Sequence, residues 1–480
     1  MKTAKKYFKP IDTNTEVSSQ EKALLLHGTK KFPIYAERAS KYSLFFRYLE
    51  DQAVINSDEP VYLIFQNNGQ KIELGPCQIL PGSDLNGWAG RLVFLRDVYD
   101  IHFLLKDHEV VKLQDSFRNL PQVLARKDKI RQPFKDYVAN LAYDLQIYKQ
   151  VFDDLDFKAH VEPEDVKISV QEAVIRTEGA DFRRFFQGTL YDLIHLVEGF
   201  SPKEHHRHAL YFRNHLWEFI LVCAFAARAT LKPRGYAGDS EQMRMIYLND
   251  HQGDSTFAKL LHKHAVEHTA SRSVRNRIGI ISQMINIFRN TSRWQESDKI
   301  DVLSVGSGSA FELKNIFNSP KTCDRYKFIL FDQDPIALGE AVDLVNQIER
   351  KIGAKPDIKS IRGSVRTMLF SRKLSERWGK FDFIYSLGLF DYLNLRVAEA
   401  VINRLYQLLK PGGELVIGNF NVRNPSRYYM EYWGDWVLLR RTEEEFRNLF
   451  QQTSKAKIRV LYDDTGCQMF LDIKKKKTTV

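Results

Sequence analysis

The chain has 480 residues and a formal net charge of +11, from 71 Lys and Arg against 60 Asp and Glu. With 44% hydrophobic and 27% charged residues it has the composition of an ordinary globular protein, which excludes disordered, collagenous and disulfide-scaffold chains. The length suggests about three domains, and the positive charge permits anionic partners without requiring them.

Cys77, Cys223, Cys323 and Cys467 form no C-x-x-C pair and have no His at zinc-ligand spacing, so reduced thiols in a cytoplasmic protein are expected. Met1–Pro10 is basic but lacks an apolar core and is not read as a secretory signal. The longest apolar stretch, Leu216–Leu231, contains Glu218 and Arg228 and is shorter than the ~20 residues a bilayer span needs. A buried helix is expected there, and no transmembrane segment. Peripheral membrane contact stays open.

Residues 1–40 read as a polar lead-in. Residues 41–118 read as a small β domain, a barrel or sandwich. Its strands are expected at Val61–Phe65, Gln70–Leu74, Trp88–Leu95 and Ile101–Leu105, between turn clusters such as Asn67-Asn68-Gly69. Residues 119–164 form a helical connector, with Tyr137, Leu141, Leu145, Tyr148 and Phe152 on one stripe. Helices continue over 165–297, most clearly at His215–Thr230, Ser255–Thr269 and Arg272–Arg289. His205–His208 and His262–His264 read as surface helix ends, and no metal site is expected.

From 298 to 474 strands and helices alternate, which predicts a parallel α/β sheet. The strands are Lys299–Val305, Lys327–Phe331, Asp357–Arg362, Phe381–Tyr385 and Gly413–Phe420. Helices are expected from about Ala310, at Pro335–Ile352, near Val365–Glu376 and Val397–Leu409, and from Thr442. Ala456–Tyr462 and Cys467–Ile473 are joined by the tight turn Asp463–Gly466, so they must pair antiparallel. Residues 475–480 read as a basic, solvated tail.

The first of these strands runs into Gly306-Ser307-Gly308-Ser309-Ala310, a turn whose glycines let backbone approach a ligand closely. The sixth position of a dinucleotide motif would be Phe311, which argues against a nicotinamide or flavin. Asp332 falls at the end of the second strand, where an acid can hold both hydroxyls of a ribose. Asp334 is placed to cap the helix that starts at Pro335. Together with Lys410-Pro411-Gly412-Gly413 and the closing hairpin, these features resemble the class I S-adenosylmethionine-dependent methyltransferases over about 298–474. Ser304 departs from that pattern, since most members carry an acid at the end of the first strand.

Upstream, Lys232-Pro233-Arg234-Gly235-Tyr236-Ala237-Gly238-Asp239 holds more charge than a turn needs and reads as a functional loop. With Ser273–Arg277 and Tyr385–Leu393 it resembles a narrower family, the extracellular-factor, 3-hydroxypalmitic acid methyl ester biosynthesis proteins. The expected fold is α/β, a seven-stranded Rossmann-like methyltransferase sheet with a preceding helical region and a small N-terminal β domain. The resemblance implies S-adenosylmethionine as cofactor and methyl transfer to a 3-hydroxy fatty acid, giving a methyl ester signal. Gly306, Ser307, Gly308, Asp332, Gln333, Ser364, Val365 and Ser386 are the cofactor candidates. Arg234, Tyr236 and Asp239 are the catalytic candidates. Phe390, Tyr392, Asn419 and Tyr428 are the substrate candidates, beside the aromatics Tyr429, Trp433 and Trp436.

Two alternatives stand beside this reading. One is a methyltransferase for another small molecule, RNA or protein, although no nucleic acid is expected because no D/N-P-P-Y follows the fourth strand. The other is a regulatory module in which the N-terminal β domain is PilZ-like and binds a cyclic dinucleotide. That domain has neither the R-x-x-x-R arm nor the D/N-x-S-x-x-G strand of such barrels. It is therefore expected to be a scaffold or a protein-contact surface.

Overall fold

The computed structural model of the chain describes residues 15–40, 43–48, 60–67, 70–81, 90–94, 129–291, 299–371, 373–451 and 456–477. Two compact units result, residues 1–123 with 362–372, and residues 124–361 with 373–480.

In the first unit, β1 (Thr15–His27), β2 (Lys30–Ser40), β3 (Ser43–Tyr48), β4 (Val61–Asn67), β5 (Gln70–Pro81) and β6 (Gly90–Phe94) close into an antiparallel barrel. Its interior follows the two-residue strand period. Leu25, Ile34, Ala36, Leu44 and Phe46 alternate with outward neighbours and are buried. The expected polar lead-in over 1–40 is thus corrected, since β1 and β2 lie within it. Alternating Ala23/Leu25 and Ile34/Ala36 feed this core across a two-residue hairpin with Gly28 at φ 59°. The charged residues between them hid the pattern. The expected strand at Ile101–Leu105 lies outside the described residues, as does the Asn68-Gly69 turn.

The second unit begins with helices. Gln132–Ala159 buries Phe134, Val138, Leu141, Leu145 and Phe152 along one face, close to the expected stripe. Helices Glu178–Val197, Pro202–His215 and Thr256–Glu267 pack with it around a core rich in Phe, and the short helix Arg427–Trp433 inserts Tyr432 and Trp433 into the same core. The expected single helix over Leu216–Leu231 is two, Trp217–Val222 and Ala224–Leu231, broken where Cys223 is extended. The apolar pattern runs across the break, so nothing in the sequence punctuates it. The histidines expected at surface helix ends are buried at His208, His262 and His264. Burial lowers His262 to about 4 and His264 to about 3. Among the described residues no helix is long and apolar enough to cross a membrane, and no cluster could hold a metal. All four cysteines are buried and unpaired.

The sheet follows: β7 (Ile300–Val305), β8 (Tyr326–Asp332), β9 (Asp357–Arg362), β10 (Phe381–Ser386), β11 (Leu409–Phe420), β12 (Ala456–Tyr462) and β13 (Gln468–Lys475). The spatial order is β12-β13-β11-β10-β7-β8-β9, with β13 antiparallel to both neighbours. The expected seven-stranded sheet is present. Lys410 ties three parallel strands at their N-terminal ends, donating to Asp301 at 2.6 Å and Asp382 at 2.7 Å. The basic tail is corrected at its start, because Lys475 ends β13 and donates to the Leu409 carbonyl at 2.9 Å.

The loop 232–239 ends in Asp239, which caps helix Ser240–Leu248 by accepting from Gln242 N–H at 2.9 Å. Its carboxylate is fully buried and takes Arg228 Nε at 2.8 and 3.0 Å and Nη2 at 2.7 Å. Replacing Arg228 by Met leaves that carboxylate with a single backbone donor. Urea denaturation of Arg228→Met is expected to show a loss of about 3–5 kcal/mol, whereas a change under about 1 kcal/mol, the size of an exposed pair, would contradict this role.

Candidate active site

Chain order turns back at β7. The strands β8 and β9 build outward on one side and β10 and β11 on the other, so a crevice opens above the C-terminal ends of β7 and β10. The turn leaving β7 forms its floor. Gly306 (φ 66°) and Gly308 (φ 55°) take left-handed backbone that a side chain disfavours. A Cβ on Gly306 would sit 3.3 Å from Leu389 Cβ, whereas one on Gly308 would meet nothing within 4 Å. Open space therefore lies above Gly308. Ala310 is also left-handed (φ 52°), and the expected helix from about Ala310 is a single turn, Leu313–Ile316. Ser307 N–H donates to the Phe331 carbonyl at 3.2 Å, and Ser307 is half-buried in the turn.

Asp332 pins this turn. Its Oδ2 accepts from Gly308 N–H at 2.8 Å and its Oδ1 from Asp334 N–H at 2.9 Å. Burial raises the Asp332 carboxyl above the usual carboxylate range, and those backbone donors partly offset it. Gln333 is exposed beside it. Asp334 caps the Pro335–Ile352 helix through Ile336 N–H at 2.9 Å. Ser386 is buried at the end of β10 and donates to the Val305 carbonyl at 2.8 Å, locking the two central strands together. Ser364 caps the short helix Val365–Phe370, and both Ser364 and Val365 belong to the first compact unit.

The 232–239 loop lies over these strand tips. Arg234 Nη1 donates to Asp334 Oδ2 at 3.1 Å and to Ser240 Oγ at 2.5 Å, and Nη2 donates to Glu340 at 3.2 Å. The guanidinium of Arg234, a catalytic candidate from the sequence, thus joins two carboxylates of the protein. Asp239, another catalytic candidate, is spent on Arg228 and the helix cap. Tyr236 is half-buried and lies within electrostatic range of Asp332, Asp334 and Asp239. Burial, then those carboxylates, push its phenol well above its usual range. Gly238 passes so close to the next layer that a Cβ would lie 2.5 Å from Tyr392 Oη and 2.9 Å from Trp436. Trp436 Nε1 donates to Tyr392 Oη at 2.9 Å.

The substrate candidates separate. Phe390 is buried, and Tyr392 is 40% exposed with its hydroxyl under the loop. Asn419 donates to Asp391 Oδ1 and to the Phe420 and Leu439 carbonyls, each at 3.0 Å, so it braces Asp391. Tyr428 stacks on His205 at 5.2 Å in the helical core, away from Phe390 and Tyr392.

Three residues outside the candidate list, Asp391 and Arg277 from the two family-marking segments and Glu312, lie within electrostatic range of one another here. Asp391 is buried, with Oδ1 also accepting from Phe420 N–H at 2.7 Å, while Oδ2 has no hydrogen-bond partner among the described residues. Burial pushes its carboxyl up to about 7, against the pull of Phe420 N–H, Arg277 and Arg441. Glu312 accepts from Tyr385 Oη at 2.7 Å, and Tyr385 pairs across the strands with Ser304. A carboxylate thus reaches the β7 tip from Glu312, where Ser304 itself is not acidic. Arg277 lies on the buried face of helix Thr269–Arg289, beside Ser273, Val274 and Ile281. A charge at a core position of an amphipathic helix was the signal available for it. Behind Phe420 and Trp436 lies an apolar cavity of about 40 Å³, walled also by Phe225, Ala226, Ala229 and Val274.

A family model described as a methyltransferase domain matches residues 279–469, which cover strands β7 to β12, the turn and Asp332. No curated protein matches the chain. Among solved structures, the chain is similar to a possible exported protein from Bordetella parapertussis, with 18% identity, TM-score 0.38, and coverage of 64% of this chain and 95% of that one. It is also similar to magnesium protoporphyrin IX methyltransferase from Synechocystis, with 14% identity, TM-score 0.31, and coverage of 43% and 83%. A third is the N-methyltransferase NodS from Bradyrhizobium japonicum, with 15% identity, TM-score 0.28, and coverage of 42% and 98%. Likenesses of this size carry no argument about substrate, and the methyltransferase assignment of residues 279–469 rests on the family match.

Proposed function

We propose that residues 299–477, with the loop 232–239 over them, form an O-methyltransferase that uses S-adenosylmethionine and esterifies a carboxylate on an apolar chain, such as a 3-hydroxy fatty acid. The observation that carries the reading is the turn at Gly306–Gly308 pinned by Asp332. The residues present fit the cofactor. Each Asp332 oxygen accepts one N–H and keeps a lone pair for a ribose hydroxyl. Open space beside Gly308 admits the ligand. When bound, the cofactor supplies an electrophilic methyl group on a sulfonium.

The chain's own residues then bind, orient and exclude water. A carboxylate is already ionised at pH 7, with a pKa near ~4–5, so it needs no base. Alignment of such a nucleophile supplies up to ~7–11 kcal/mol. The loop 232–239, anchored by Arg234 and Asp239, shields the crevice from solvent. Titration calorimetry with S-adenosylhomocysteine is expected to show binding that Asp332→Ala weakens at least about tenfold, the cost of one charge-assisted pair. Absence of binding to the unaltered protein refutes the proposal. Incubation with labelled S-adenosylmethionine and a lipid extract identifies the ester by mass spectrometry.

A second reading is favoured by Asp391. A buried carboxyl pushed up to about 7, with one oxygen unbonded, suits a general base acting on a hydroxyl or amine. The pH profile separates the two. An esterifying enzyme keeps kcat/KM flat from pH about 6 to about 8, because the substrate acid is ionised throughout. A base mechanism makes kcat/KM rise through pH about 7, as Asp391 loses its proton, and Asp391→Asn then lowers it about 10²–10⁴-fold.

A further inference from the structure

Helix Gln132–Ala159 has two apolar faces. One carries Val138, Leu141, Leu145 and Phe152 and is buried in the Phe-rich core. The other carries Tyr143, Ile147 and Val151, spaced four apart and therefore in one row on the far side of the helix. These three are 69%, 46% and 53% exposed, and Phe157 on the last turn is 79% exposed. An outward helix face ordinarily carries charge. Here every exposed position from Asn140 to Val151 (Asn140, Tyr143, Gln146, Ile147, Gln150 and Val151) is uncharged. The two aromatic rings alone leave roughly 200–350 Å² open to water, about the size of the largest apolar patch on an ordinary monomer.

Charges bound the row at both ends. Asp136 stands on the row before it, and Asp154 and Lys158 after it, all exposed. Asp136 accepts from Gln132 on Oδ1 at 2.7 Å and keeps Oδ2 for another donor. This order of charges selects a partner. A second copy of the helix laid parallel would set Asp136 on Asp136, Asp154 on Asp154 and Lys158 on Lys158, like charges each time. Laid antiparallel about Ile147, residues equally far from Ile147 on either side meet. Tyr143 then faces Val151, Asn140 faces Asp154, and Asp136 faces Lys158, and the two-fold axis makes each contact twice. The Asn140 amide can donate to the Asp154 carboxylate, and a polar pair within an apolar seam fixes its register.

We propose that this face docks on the same face of a second copy of the chain, antiparallel, in a two-fold dimer centred on Ile147. The apolar row supplies the burial, and the flanking charges set direction and register. From Asp136 to Lys158 the seam is about 33 Å long. One helix from each partner makes an interface at the low end of the usual sizes, so association in the micromolar range is expected. The assignment does not depend on the chemistry of the sheet.

Sedimentation velocity on the full chain at low salt, from about 1 to about 100 μM, tests it. The unaltered protein is expected to move from monomer to dimer across that range. Ile147→Glu sets two carboxylates against each other on the axis and is expected to weaken the dimer about 100-fold or more. Its circular dichroism is expected to stay unchanged, because the side chain is exposed in the monomer. Asp136→Lys brings a cation onto Lys158 twice and is expected to weaken association about 3–10-fold. Adding Lys158→Asp to the same chain is expected to restore it, which happens only in the antiparallel register, since a parallel pair keeps like charge on like charge in both variants. A chain that stays monomeric at about 100 μM overturns the proposal and leaves the face to a different protein. A dimer that Ile147→Glu does not weaken, or one that the double variant fails to restore, overturns it too.

Discussion

The site depends on one carboxylate shared between two backbone amides. Asp332 accepts from Gly308 on the first turn and from Asp334 on the second, and so fixes two strand ends at once. The left-handed residues Gly306, Gly308 and Ala310 would otherwise leave β7 with several backbone options. A non-glycine residue there costs ~1–2 kcal/mol, and the pinned turn must hold Ala310 in place against that cost. The same acid is available to a sugar, because each oxygen has a second lone pair. Under the proposed function, structure and binding draw on one group.

A second constraint is the closeness of the 232–239 loop. It is fastened at one end by Arg234 to Asp334 and Glu340, and at the other by Arg228 to Asp239. Between them Gly238 lets Tyr392 and Trp436 approach to contact. The charged residues that marked this loop as functional are therefore mostly its fastenings. They hold Tyr236 within electrostatic range of Asp332, Asp334 and Asp239, and deeper in the molecule Asp391, Glu312 and Arg277 are in electrostatic range of one another. Those three come from three separate segments of the chain, and each is buried at the cost of desolvation.

Much of the sheet could be read from the chain. Continuous apolar runs such as Phe328–Phe331 announce strands covered on both faces, and Pro335 after Asp334 announces a capped helix. The barrel was less legible. Its first two strands carry charges between their inward residues, and only pairing with β3 and β4 shows which face is interior. The aromatics after β11 could not be apportioned. Tyr428 and Tyr432 serve the helical core, Trp436 faces the cavity and Trp433 borders both, and this division depends on where the Arg427–Trp433 helix inserts.

By itself the sequence determined the order of strands and helices, the antiparallel closing hairpin, the glycine turn and the acid one strand away. Each follows from local backbone preference or from periodic burial. Only the tertiary structure decided which charges are fastened and which are left without a counter-charge. Arg234 and Arg277 look alike in the chain, both cationic and both near a candidate motif. One folds against Asp334 and Glu340, from more than a hundred residues away at its farther partner, and the other is sealed among a phenol, a thioether and a carbonyl. Ion pairing depends on distances in space, and contacts between segments far apart in the chain set those distances.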